Sequence, residues 1–150
     1  MSKSPYQFAI LDSQDQAFHA AILLLSHDPS YQLLPIRQIN TFHQSINHEN
    51  YIFLLQENEL IGLILWMEID SATAKLCLQS NRSPFLSELT PHGEALFCTA
   101  FTAKKPSALL PLWRFFIKKH FHRDILIQRH FKLGKKKNQP TVLIQNGKRV

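Results

Sequence analysis

Few side chains in this sequence are of a type and spacing that could do chemistry. Cys98 and Thr99 stand together in the apolar run L-F-C-T-A-F at 96–101. A thiolate at Cys98 could form a thioester as a nucleophile. Against that role, no histidine has a spacing that marks it as a partner base, and apolar surroundings keep a thiol protonated. Cys77 lies in a similar stretch and neither cysteine belongs to a CxxC pair, so both are expected to be buried thiols. His120 and His122 have an H-x-H spacing that can chelate a metal, with His130 nearby. No carboxylate or thiolate cluster completes the ligand set, and the pattern reads as a solvated basic helix end. The chain lacks G-x-x-x-x-G-K-S/T, G-x-G-x-x-G and the R/Q-x-x-G-x-G/A turn that holds the pyrophosphate of coenzyme A. No cofactor is therefore expected, and coenzyme A is disfavoured as a donor.

Charge is the second signal. The chain carries 17 Lys and Arg against 11 Asp and Glu, for a formal charge of +6. Acidic and basic residues roughly balance through Lys75, whereas Asp124 is the single acidic residue from Lys104 onward. Such a field speeds docking of an acidic protein, a nucleic acid or an anionic lipid surface, and it weakens with salt. The bland alternative is a solvated basic face that aids solubility. Lys135, Lys136 and Lys137 read as a turn rather than a specific site.

The elements that must position these residues alternate between α and β. Tyr6 to Leu11 suits a short strand, and Asp12 or Ser13 can cap a helix from Gln14 to Ser26, with Phe18, Ala21, Ile22 and Leu25 on one face. Pro29 and Pro35 bracket a loop. A second helix is expected over Ile36 to Ile46. Tyr51 to Leu55 and Leu60 to Ile69 form an antiparallel hairpin across Q-E-N-E, and the second strand, apolar on both faces, suits the middle of a sheet. Lys75 to Gln79 reads as a third strand and Ala95 to Phe101 as a fourth. A helix from Ser107 to His120 tolerates Pro111 near its first turn. Ile125 to Phe131 and Thr141 to Gln145 supply the last strands. This order predicts an α/β (α+β) fold of the GNAT acyltransferase type, a mixed, mostly antiparallel sheet flanked by helices, in one domain over 1–150.

Composition fits that expectation. Hydrophobic residues make up 45% and charged ones 19%, a globular balance far from disorder. The longest apolar runs, Ala20 to Leu25 and Leu60 to Met67, fall short of the ~20 residues of a membrane span. M-S-K-S-P-Y-Q lacks the marks of a secretory signal. A cytoplasmic location is expected.

The serial order of several weak motifs resembles the RTX toxin-activating lysine-acyltransferases. That family has S-P-L-H-x-x-W-P-V, then Q-Y-x-L-L and P-V-A-Y-C-S-W-A strands; this chain has D-P-S-Y-Q-L-L-P-I at 28–36, N-Y-I-F-L-L at 50–55 and L-I-G-L-I-L-W-M at 60–67. The family's W-F-I-D-W-I-A-P-F-G strand looks like L-F-C-T-A-F-T-A-K-K at 96–105. Its basic amphipathic helix resembles L-W-R-F-F-I-K-K at 112–119, and its late G-G-K resembles N-G-K at 146–148. The resemblance covers about Ile22 to Val150.

It implies a GNAT-like fold and transfer of a fatty acyl group from acyl carrier protein to a lysine of an RTX-type protoxin. That chemistry needs a base for the ammonium proton and donors for the oxyanion. The family's His and Asp positions carry Tyr31 and Thr99 here. A tyrosine of ordinary pKa near ~10 is a poor base, and threonine brings no carboxylate charge. Carried over this way, the catalytic candidates are His27, Tyr31 and Thr99. His27 serves either as a relocated base oriented by Asp28 or Tyr31, or as a favourable charge at a helix C-terminus. Tyr31 is either a hydrogen-bond donor to the acyl carbonyl or a half-buried loop aromatic. An acidic carrier would dock on Arg114, Lys118, Lys119, Arg123, Arg129 and Lys132. A homodimer is compatible with this picture. Two further readings stand beside it: a catalytically inactive relative acting as a carrier- or toxin-binding chaperone or regulator, and a basic nucleic-acid-binding domain using Phe115 to Lys137.

Overall fold

A computed structural model describes residues 6–33, 35–128 and 141–150 of the protein. Its centre is one seven-stranded sheet in the order β1 (Tyr6–Ala9), β2 (Tyr51–Gln56), β3 (Glu59–Ile69), β4 (Ala95–Ala103), β5 (Asp124–Gln128), β6 (Thr141–Gln145) and β7 (Lys148–Arg149). Every neighbouring pair is antiparallel except β4 with β5, which runs parallel. The parallel pair needs a crossover, and α4 (Leu109–Lys119) supplies it. The expected mixed, mostly antiparallel sheet flanked by helices is what the structure shows.

Alternation along β2 and β3 divides the core. Tyr51, Phe53, Leu63 and Leu65 face α1 (Gln14–Ser26) and α2 (Ile36–Asn47), where Ala17, Ala21, Leu25, Phe42 and Ile46 are buried against them. Ile52, Leu54, Ile64 and Trp66 point to the opposite face and pack on Leu112 and Phe116 of α4. Full burial of each such side chain contributes about 1.5–3 kcal/mol. Gly62 permits this contact, because a Cβ there would stand 3.3 Å from both Leu112 Cδ2 and Leu54 Cβ. Ser13 caps α1 by accepting from the Gln16 amide at 3.3 Å, one of the two caps read from sequence.

One strand expectation fails. Lys75 to Gln79 lies within α3 (Ser71–Ser80) instead. Asp70 caps the helix by accepting from the Thr73 amide at 2.7 Å, and Asn81 ends it in the left-handed region at φ 51°. Thr73, Ala74 and Cys77 are buried at helical spacing, where a strand would bury alternate residues. The Asn81 cap is also a tether: its Oδ1 accepts from the Thr141 amide at 2.5 Å, and its carbonyl accepts from Gln128 Nε2 at 3.2 Å. The last helix begins later than expected, after a 3-10 turn at Pro106–Ala108 that leaves Pro111 in its first turn. Residues 129–131 of the expected fifth strand lie outside the described residues, as does the 135–137 lysine cluster.

Candidate functional site

The irregular point of the sheet is Thr99. Leu65 pairs with Ala100 and Trp66 with Cys98, so Thr99 is an extra residue of β4 with no partner on β3. A bulge of this kind kinks its strand and re-aims the side chain at that position. Among the described residues the last pair between β4 and β5 is Cys98 with Ile127, immediately before it, while β4 runs on to Ala103. The described part of β5 ends at Gln128, so among the described residues a gap lies beside β4 beyond this pair.

Beyond that pair β4 amides have no strand partner on that side among the described residues, and buried N–H groups must find acceptors. The Phe101 amide donates to Tyr31 Oη at 3.0 Å. Tyr31 arrives on a 3-10 turn, Pro29–Tyr31, between α1 and α2. Asp28 builds that turn by accepting from the Ser30 amide at 2.9 Å, and its other oxygen accepts from Thr102 Oγ1 at 2.7 Å. The loop is thereby pinned to β4 at two consecutive residues, Phe101 and Thr102. Tyr31 is buried, which drives its phenol far above the ordinary range; the Phe101 hydrogen bond offsets part of this, and Cys98 and Asp28 add to it. It is a neutral group near neutral pH, fixed by packing on Phe42.

Two recesses border the gap on opposite faces of the sheet. On the α2 and α3 side, a cavity of about 500 Å³ is lined by Thr99, Cys98 and Phe97 of β4, Gln128 of β5, Arg37, Gln38 and Thr41 of α2, and Arg82 after α3. Thr99 is 7% exposed, and its Oγ1 has no hydrogen-bond partner among the described residues. On the α4 side, an apolar groove of about 390 Å³ is lined by Phe101 and Ile127, which flank the gap, with Leu109, Leu110, Trp113, Val142, Ile144 and Arg149. The sheet thus offers an apolar groove on one face and a cavity with polar side chains in its walls on the other, each lined by residues next to the last described β4–β5 pair.

The residues singled out from sequence divide around this site. Tyr31 and Thr99 are brought to the gap. His27 is not: it is the exposed C-cap of α1 and lines a separate cleft with Leu23, Glu59 and Lys104. Cys98 is buried, and burial pushes its thiol up to about 12, which removes it as a nucleophile. His120, read as a solvated helix end, instead packs on Trp66 and Phe116 with ring centroids 5.0 and 5.1 Å away. Burial pulls its pKa down to about 4, and its Nε2 has no partner among the described residues. Arg114, Lys118 and Lys119 are exposed on α4, whereas Arg123 is committed to Glu68 at 3.0 Å. Arg129, Lys132 and His130 lie outside the described residues. No group of three His, Cys, Asp or Glu side chains able to hold a metal is found among the described residues, nor a helix long and apolar enough to cross a membrane. Arg37, Arg82, Gln128 and Trp113 carried no sequence signal, because only the fold brings them to the gap.

No family model matches the sequence. No curated protein matches it either. Among solved structures, the loading GNATL domain of CurA from Lyngbya majuscula matches with a TM-score of 0.57 at 14% identity, over 82% of this chain. The chain spans 64% of that domain's length. Similarity at this level establishes architecture, and with the parallel β4–β5 pair and its bulge it places the chain among GNAT-like folds.

Proposed function

We propose that the protein binds an acyl thioester across the gap between β4 and β5 and transfers the acyl group to an amine entering from the α2 side. The observation that carries this reading is the Thr99 bulge at the end of the described β4–β5 pairing, between an apolar groove and a cavity with polar walls. The acyl-bearing arm lies along Phe101, Ile127 and Trp113, with the carbonyl in the gap. The amine lone pair forms the new C–N bond, the C–S bond breaks, and the thiolate leaves and takes up the proton the amine loses. Thr99 Oγ–H, buried and without a partner among the described residues, donates to the carbonyl oxygen as charge develops there. A fixed donor of this kind contributes about 10²–10³ in rate. The match to a loading GNATL domain supports the GNAT-like fold on which this reading is built.

The donor is best read as an acyl carrier protein. Arg114 and Lys118 flank a second surface groove of about 540 Å³ floored by Leu110, Trp113, Ile117 and Phe121, suited to an acidic partner with an apolar ridge. The turn between β4 and α4 contains no glycine, and its Lys104 and Lys105 are engaged with Glu59 and Gln56 at 3.3 and 2.9 Å. A lysine of a protoxin-like protein is the acceptor implied by the family resemblance. A second reading, binding without turnover, is favoured by one observation: no Asp, Glu or His lines the cavity among the described residues. Much of the Phe115 to Lys137 segment offered to nucleic acid is spent in the fold, with Phe116 in the core and Arg123 paired to Glu68.

The test incubates the protein with acyl carrier protein and coenzyme A bearing the same acyl chain, plus a lysine peptide, and follows the acyl mass. Appearance of acyl-peptide from the carrier donor supports transfer. Salt-sensitive carrier binding with the thioester intact supports the second reading, and neither binding nor transfer removes both.

A further inference from the structure

The geometry points to the cavity between α2 and the Thr99 bulge as a recognition site for an amine that carries a carboxylate, the carboxylate held by Arg37 and the first turn of α2. A role for this amine as acyl acceptor rests on the acyl-transfer reading; its binding does not.

Two guanidinium groups line this cavity, and they are not equivalent. Arg82 is neutralised by Glu88 through two hydrogen bonds of 2.8 and 3.0 Å, and it lies over the Phe85 ring at 4.5 Å. Arg37 has no carboxylate within ion-pair distance among the described residues. Among the described residues the cavity therefore carries one uncompensated positive charge and no negative one. Arg37 sits in the first turn of α2, whose N-cap is Pro35, a residue that contributes no side-chain cap. An anion beside that turn meets uncapped amides as well as a guanidinium. At the floor, Thr99 Oγ1 is a second, independent sign of a ligand: a buried hydroxyl without a partner among the described residues is costly and persists where something else uses it. Ser30, Gln38 and Gln128 add neutral polar groups to the walls. A volume near 500 Å³ falls in the range for small-molecule sites. A ligand with its anion at Arg37 and its amine toward Thr99 would reach the gap from the side opposite the acyl channel. The carboxylate can come from a free amino acid or from an acidic residue beside a lysine in a peptide.

The probes are 6-aminohexanoate, its uncharged amide 6-aminohexanamide, and two lysine peptides with Asp or Asn beside the lysine. Binding is followed by protein-observed NMR in the intact protein without any acyl donor. The acid is expected to bind at least tenfold more tightly than the amide, with the advantage abolished in Arg37→Gln and reduced by salt. Arg37 is exposed, so this variant is expected to fold; Arg37→Lys, keeping charge without the fork, should restore part of the affinity. A preference for the Asp peptide over 6-aminohexanoate assigns the carboxylate to a polypeptide, and the reverse assigns it to a free acid. Equal binding of acid and amide, or an acid affinity unchanged in Arg37→Gln, overturns the inference. Failure of every amine to accept an acyl group would remove the transfer reading while leaving this binding result intact.

Discussion

Thr99→Val is expected to stabilise the protein while impairing its chemistry. The substitution replaces Oγ1 by a methyl group in nearly the same volume, at a residue only 7% exposed. In the wild type that hydroxyl is removed from water without a hydrogen bond among the described residues. The cost of such burial is about 1–3 kcal/mol, and most of it is recovered when the polar atom is gone. A gain of about 1–2 kcal/mol corresponds to roughly 2–8 °C in Tm at this chain length. Thr102→Val makes the opposite case, because its hydroxyl donates to Asp28 at 2.7 Å and its loss leaves a carboxylate oxygen short of a donor. It should cost about 1–3 kcal/mol. Urea unfolding at pH 7 reads both, with m unchanged. Acyl transfer by Thr99→Val should fall about 10²-fold if the hydroxyl serves the oxyanion. A destabilised Thr99→Val, or one that keeps full activity, would refute the reasoning about an idle donor held for the reaction.

Other outcomes follow from the same packing. With no carboxylate or imidazole among the described lining residues, and with the Tyr31 phenol held neutral, the transfer rate should rise tenfold per pH unit toward the amine's own pKa of about 10; a plateau near pH 6.5 would instead reveal a histidine base. Folded His120 has its pKa lowered from 6.5 to about 4, so the unfolded chain takes up the proton first. The contribution of the neutral ring is present above pH 6.5 and is lost as pH falls toward 4. His120→Phe should flatten that stretch of the stability profile by on the order of 2 kcal/mol after allowance for partial exposure, read by urea midpoints across pH 4–7. Cys98, raised to about 12, should resist iodoacetamide in the folded state and react only on unfolding, checked by intact-mass measurement. Gly93→Ala should destabilise by about 3 kcal/mol in the same urea assay, since its Cβ would overlap the Ile69 carbonyl and stand 2.6 Å from its carbon.

Much of the scaffold could be read from the sequence, and the exceptions have physical causes. The α1 cap, the β2–β3 hairpin and the buried β4 are set by local signals: a serine before an apolar stripe, a polar turn, a run of aromatic and small residues. Lys75 to Gln79 reads as a strand because the short alternation K-L-C-L-Q satisfies the strand period, whereas the helix extends over Ser71–Ser80. Asp70 and Asn81, the two caps, were the signals that decide for helix. Tyr31 and Thr99 reached the gap, yet Thr99 matters through a bulge that depends on register with β3, which no window of β4 reveals. Arg37 and Arg82 look alike in sequence; only Glu88, six residues after Arg82, makes one of them neutral. His27 points to another cleft because Asp28, next to it, turns the chain into the 3-10 segment.

The most direct test of the central claim is a crystal structure of the protein with a non-hydrolysable thioether analogue of an acyl-pantetheine. The account predicts the arm along Phe101, Ile127 and Trp113, with the ketone oxygen within hydrogen-bond distance of Thr99 Oγ1 in the gap between β4 and β5. Binding of the analogue at another surface, or no binding at saturating concentration, would contradict it.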